Sequence, residues 1–440
     1  MPKRRYLYAL SAGLVATIGL TACSSGSSQG PDSPQAVPTG SKAAGKKITV
    51  WVMQDDYTDK TLNAINAQFT KETGATVDVQ TQQWDGITTK ITTALSTSTP
   101  PDVLDLGNTQ VASFAATGGL ADLTSYKKDL QQGQTWLGGL VEPATVDGKL
   151  YAVPGFAGAR AVIYNKTMWQ KAGVTSAPTT MSELESDLAK VRSAHTGGDF
   201  SPFYLPGQDW YVAMQFVWAA GGDLATTSGG KWTGGMSTPQ AQKGLQAFKK
   251  FQNAYSSKAS QTLFTDTPDQ NQVFADGKTS AIVSTNGAIA NIQKANPSLK
   301  NSDLGTFALP AAEGGTQPVM LGGSDWGIAA KSQNQQLALQ WAKIAASPQI
   351  QNKWVFGNDG WIPNSTQATK AAGANVPALT KGFFDAALRS KATPASPQWA
   401  TIEGTKDVNN FFSSIASGKQ SVADAAKSFD GKLNKTLNAG

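Results

Sequence analysis

A chain of 440 residues with one cysteine and one histidine lacks most of the side chains on which catalysis is built. A Ser-His-Asp site, a histidine zinc site and a Cys-His pair all need more imidazoles or thiols than His195 and Cys23 supply. His195, in the polar stretch SAHTGGD, reads as a solvated helix-end residue rather than a base. No intrachain disulfide can form, so the body is held by its core. No phosphate-binding loop and no Gly-x-Gly-x-x-Gly follows a strand pattern, and nothing calls for a metal or another cofactor. The net charge of +6 is no nucleic-acid footprint: Lys3, Arg4 and Arg5 precede Cys23 with no acid among them, and removing those charges leaves +3. No run of basic residues with interleaved aromatics occurs.

What is present begins with the position of the cysteine. Pro2-Lys3-Arg4-Arg5 is a basic cap, and Tyr6 to Leu20 is an apolar run too short to span a bilayer as a mature helix. Leu20-Thr21-Ala22-Cys23 resembles the lipobox of bacterial lipoproteins. The resemblance implies that residues 1–22 are a signal peptide and that the Cys23 sulfur, as the nucleophile, takes up a lipid, with palmitate the expected acyl group. Residues 23–45, rich in Ser, Gly and Pro, form a flexible tether that holds the body on the order of tens of Å from the membrane.

The body starts at Lys47, where KITVWVM has strand length and β-branched content. DKTLNAINAQFTKETG follows, with Leu62, Ile65 and Phe69 at helical spacing and Gly74 as a stop. ATVDVQT, DGITTKITTAL and DVLDL then read as strand, helix and strand, and the alternation predicts an α/β lobe. Thr180 to Glu183 is a capping box, Thr238-Pro239 and Ser347-Pro348 open helices, and the C-terminal part reads as helices alone. The pattern predicts lobes built from discontinuous segments.

Twelve tryptophans stand out. Trp51, Trp341 and Trp354 lie on strand or helix faces and are expected in the core. Trp210 in GQDWY, Trp326 in GGSDWGI, Trp361 in DGWIPN and Trp399 in SPQW sit beside Gly, Pro or polar partners. A flat indole next to acceptors suits the apolar face and hydroxyl rim of a sugar ring. Carboxylates for glycoside hydrolysis are also available in Asp55-Asp56, Asp102, Asp105 and Asp325, though in no motif that sets them apart.

KITVWVM, PPDVLDLGNTQ, KLYAVPGFAGARAVIYNKTMWQKAGV, WAAGGDL, FADGKTSAIVSTNG and GGSDWGIAAKS follow one another as in the solute-binding lipoproteins of carbohydrate ABC transporters, the maltose-binding-protein-like group. The resemblance spans residues 46–437. It implies a two-lobed periplasmic-binding-protein-like α/β fold with a multi-strand hinge, lobe 1 from 46–157 and 318–350, and lobe 2 from 158–317 and 351–440. By position it implies sugar contacts from Gln54, Asp55, Asn108, Thr109, Arg160, Asp209, Trp210, Asn286, Ser324, Asp325 and Trp326. Asn286 departs from the family pattern, where an aromatic is common, which moves the expected stacking platform to Trp326 or Trp361, with Trp399 a further candidate. The implied protein is a lipid-anchored, monomeric receptor on the extracellular face of the cell membrane. It captures a carbohydrate and docks on a permease, is no enzyme and binds no nucleic acid. A secreted glycosidase and a cell-surface lectin are the rival readings.

Overall fold

The computed structural model describes residues 43–195 and 197–439. Cys23, the signal peptide and nearly all of the tether lie outside them. Among the described residues no helix is long and apolar enough to cross a membrane.

The first sheet grows from the expected alternation. Strands β1 (Lys47–Met53), β2 (Thr76–Gln82) and β3 (Val103–Gly107) run parallel, with β1 between the other two. The crossover helices are Asp59–Thr73 and Ile87–Ser96, which bury Leu62, Ile65 and Phe69, and Ile87, Ile91 and Leu95. Each set recurs every three or four residues, so one apolar stripe faces the sheet. Thr58 caps the first helix by accepting from the Thr61 amide, and Gly74 ends it at φ 79°.

Strand β4 (Ala152–Gly158) belongs to the same sheet, and two residues later β5 (Arg160–Asn165) opens a second one. There β5 lies between β6 (Ala281–Thr285) and β7 (Leu304–Phe307), antiparallel to both. Helices Met181–Ala194, Trp210–Ala219, Pro239–Tyr255, Asp407–Ala416 and Val422–Leu437 accompany it. They bury Phe203, Phe248, Phe251 and Phe412 in a second core. The capping box at Thr180 and Glu183 and the Thr238 cap form as the sequence predicts.

The chain then returns to the first sheet. Strand β8 (Gly322–Ile328) inserts antiparallel between β3 and β4, and β9 (Ile362–Pro363) pairs with the far side of β4. The large sheet thus has six strands in the order β9-β4-β8-β3-β1-β2. The fold is mixed α/β and two-lobed, and the chain passes repeatedly between the sheets near β4, β5 and β8.

Two placements differ from the sequence reading. Val355 sits in the first core and β9 in the first sheet, so part of the segment after residue 350 belongs with lobe 1. β9 covers the outer side of β4 and is itself the edge strand, a position in which Pro363, with no amide to donate, is tolerated. Trp326 lies inside β8 rather than in a loop.

Candidate functional site

A cavity of about 520 Å³ opens where the two sheets meet. One wall comes from the large sheet and its loops: Asp56, Trp84, Phe156, Ser324 and Trp361. Facing it are Arg160 at the start of β5 and Thr285 and Asn286 at the end of β6.

The aromatic part of the first wall is held from behind. Trp361 stacks on Phe156 with ring centroids 4.5 Å apart and planes 23° from parallel. Its Nε1 donates to the Asp56 carbonyl at 2.7 Å, which fixes the tilt of the half-buried ring. Trp84 is the one exposed large hydrophobic side chain among the described residues, at 42%. Its ring covers Gly107, where a Cβ would stand 3.5 Å from it.

The polar part is an acid pair. The Ser324 hydroxyl donates to Asp56 Oδ2 at 2.7 Å, and the Met53 amide donates to Asp105 Oδ2 at 3.0 Å. Burial pushes Asp56 up to about 6, against the lowering effect of hydrogen bonds from Ser324, Asp105 and the Trp84 indole. Burial, and then the neighbouring Asp56, hold Asp105 well above the usual carboxylate range. Of the two, the more deeply buried Asp105 is held more strongly toward its protonated form, and Asp56 is the one that faces the cavity. Flat aromatic faces beside an anionic acceptor, a hydroxyl and a guanidinium across the gap make a site for a ring with apolar faces and a rim of hydroxyls.

The structure brings together four of the residues singled out from sequence: Arg160, Asn286, Ser324 and Trp361. Gln54, Asp55 and Thr109 do not line the cavity. Gln54 and Asp55 are exposed on the loop after β1, Gln54 accepting from Gln83, and Thr109 is half-buried after β3. Asn108 is 4% exposed, and its amide donates to the carbonyls of Gly139 and Leu321, so it ties loops together instead of facing a ligand.

Three of the four loop tryptophans were misplaced by sequence. Trp326 is 1% exposed, packed against Tyr57 at 4.9 Å and Trp341 at 4.7 Å, and is core. Trp210 is 2% exposed and meets Trp399, itself 1% exposed, edge to face at 5.8 Å in the second core. Asp325 is fully buried, and burial pushes it well above the carboxylate range, so it is a neutral acid inside the sheet and not a hydroxyl acceptor in the cleft. Asp209 is also buried; it caps helix Trp210–Ala219, and burial lifts it to about 6 against the opposing pull of Arg160.

Sequence reasoning missed Trp84 and Phe156 as wall residues, and had Asp56 only as a hydrolytic candidate. Trp84 carried a usable signal: QQWDG places an indole in a turn with no apolar neighbour, a poor setting for a core residue. The hydrolytic candidate Asp102 is spent structurally, accepting from the Thr49 amide at 2.8 Å and from the Ser332 hydroxyl. His195 ends helix Met181–Ala194 and, rather than being simply solvated, stacks on Phe200 at 4.5 Å.

Residues 55–352 match the family model of the bacterial extracellular solute-binding proteins. The chain belongs to that family. It is 35% identical over 438 residues to the diacetylchitobiose binding protein DasA of Streptomyces coelicolor, covering 99% of each chain. It is 24% identical to the maltodextrin-binding protein MdxE of Bacillus subtilis, covering 95% of this chain and 94% of that one. Among solved structures, the sugar-binding protein MalE of Xanthomonas citri superposes with a TM-score of 0.76 at 24% identity, over 89% of this chain and 97% of that one. The protein is accordingly a binding protein and not an enzyme, and its cavity is a place for capture.

Proposed function

We propose that this protein captures a sugar or oligosaccharide in the cavity between its sheets and delivers it to the permease of an ABC importer. The observation that carries the reading is the Trp361–Phe156 stack set beside the Asp56 carboxylate and faced by Arg160. That combination offers apolar contact to a sugar face and charge-assisted hydrogen bonds to its rim. The names of the relatives support it, since DasA is a diacetylchitobiose binder and MalE a sugar binder. Capture takes place outside the cell, and the lobes, 46–157 with 318–350 and the β9 strand against 158–317 with the C-terminal helices, close on the ligand. The protein acts as a monomer, held at the membrane by lipid on Cys23 after loss of its signal peptide. Membrane attachment that survives Cys23→Ala would remove the lipid anchor from this reading.

The deciding experiment is calorimetry and thermal melting against a panel that includes N,N′-diacetylchitobiose, maltose and longer maltodextrins. A cognate sugar at a hundred times its Kd should stabilise the fold by about 2.7 kcal/mol. A panel in which no sugar binds would sink the proposal.

A further inference from the structure

The acid pair in the cavity wall has no cation to hold it. Asp55 takes up a left-handed backbone at φ 70° and points to solvent, and the turn it makes carries Asp56 inward, 8% exposed, to the cavity. Behind Asp56 stands its hydrogen-bond partner Asp105, 1% exposed in β3. Among the described residues no Lys, Arg or His forms an ion pair with either carboxyl. Asp56 Oδ2 accepts from the Ser324 hydroxyl and Asp105 Oδ2 from the Met53 amide. Asp105 Oδ1 is buried and takes no other donor, which leaves it for a proton shared with Asp56. Two buried carboxyls in contact cannot both be charged, so the pair keeps one proton at neutral pH and takes up a second in acid.

The groups around the pair reinforce this. Asp55 lies beside Asp56 on the same loop and opposes its charge. Tyr57, its phenol pushed well above the usual range by burial, and Asp325 in β8, likewise pushed up, stay neutral. Asp359 lines the cavity from the segment before β9. Across the gap Arg160 is the one cation in the lining among the described residues, and its guanidinium lies over the Tyr211 ring, 3.8 Å from the centroid.

We propose that capture by this protein is coupled to a proton: the ligand binds the form in which Asp56 is the anion, so that acid empties the cavity and ligand entry in acid expels one proton. The inference rests on the reading of the cavity as a sugar site. A ligand hydroxyl donates to the Asp56 carboxylate, a bond stronger than one to a neutral acid. The proton that Asp56 carried passes to solvent, and Asp105 keeps its own. The coupling is reciprocal, so whatever lowers affinity in acid must appear as proton release on binding. Ser324 acts as a positioning residue here, since its hydroxyl favours the anion and so sets the pH at which the site becomes competent.

Calorimetry on the full chain with N,N′-diacetylchitobiose and maltose, from pH 5 to pH 8, tests this. For a group that titrates at about 6 and binds only as the anion, Kd should be about tenfold higher at pH 5 than at pH 8. At pH 5 the binding heat should vary with the ionisation heat of the buffer as release of close to one proton requires, and at pH 8 it should not vary. Asp56→Asn should bind more weakly and without pH dependence. Ser324→Ala should move the change in affinity to higher pH, which loss of a merely structural contact would not do. Equal affinity at pH 5 and pH 8 in the unaltered protein, or a pH dependence that survives in Asp56→Asn, would overturn the coupling and leave the sugar reading standing. A failure of every sugar to bind at any pH would overturn both.

Discussion

Strands β8 and β9 lie on opposite sides of β4, and each brings a tryptophan from a similar local sequence. Ser324-Asp325-Trp326 follows two glycines, and Trp361 follows Asp359 and Gly360. One indole ends in the core and the other on the cavity. The difference lies in the strands. β8 has seven residues and is hydrogen-bonded on both sides, so a side chain in its middle is covered by whatever packs on the sheet. β9 has two residues and stands at the edge, so Trp361, just before it, stays at the rim with one face free. Composition around a tryptophan therefore says less about its role than the length and position of the strand it belongs to.

Truncating both tryptophans would sharpen this contrast, and the largest effect belongs to β8. Trp326→Ala should cost the fold about 3–5 kcal/mol, the loss for a large aromatic in a core that cannot collapse onto the cavity left behind. Urea melts measure it, and a loss under about 1 kcal/mol would show that the Tyr57 and Trp341 contacts do not hold the sheet. Trp361→Ala should do the reverse. It should weaken binding of a cognate sugar by about 2 kcal/mol, as for a central aromatic anchor, with a smaller effect on stability because the ring is only half-buried. Unchanged affinity in that variant would remove the stack on Phe156 from the site.

The residues that sequence reasoning placed correctly and those it misplaced divide along the same line. The helices carrying Leu62, Ile65 and Phe69, and Ile87, Ile91 and Leu95, were legible because their own periodicity specifies the buried face. Caps at Thr180 and Thr238 were legible because the bonds they make are local. The GGSD run before Trp326 read as a loop because glycine and serine favour turns. The structure uses Gly323 otherwise: at φ 142° it lets the chain pass so near Phe156 that a Cβ would stand 2.1 Å from that residue's carbonyl oxygen. Asn108, expected at the site from its position in the family resemblance, instead uses its amide to bridge carbonyls 31 and 213 residues away. Trp210 was wrong by one position. Asp209 does cap the helix, but Trp210 turns into the core and Tyr211 meets Arg160. Long-range partners decided each of these, and no local pattern encodes them.

Asp56 joins the two segments. Its carboxylate accepts from Ser324 in β8 and its carbonyl from Trp361 before β9. Ser324→Ala removes one of these bonds and has the smallest expected effect, but one with a signature in pH. Asp56 sits at about 6 in the fold against 3.8 for the free side chain. Between those values the folded protein binds more protons than the unfolded chain, so this group makes stability fall as pH rises from about 4 to 6. The Ser324 hydroxyl opposes that by favouring the anion. Without it the carboxyl should titrate still higher, and the fall should extend to higher pH. A hydrogen bond to a neutral acceptor contributes about 1 kcal/mol and one to a charged acceptor about 1.5–3. The variant should therefore lose about 1 kcal/mol at pH 5, where Asp56 is mostly protonated, and about 2 kcal/mol at pH 8, where it is the anion. Urea melts at the two pH values read the difference directly. Equal losses would mean that Ser324 does not act through the Asp56 charge, and that the two segments are joined by packing alone.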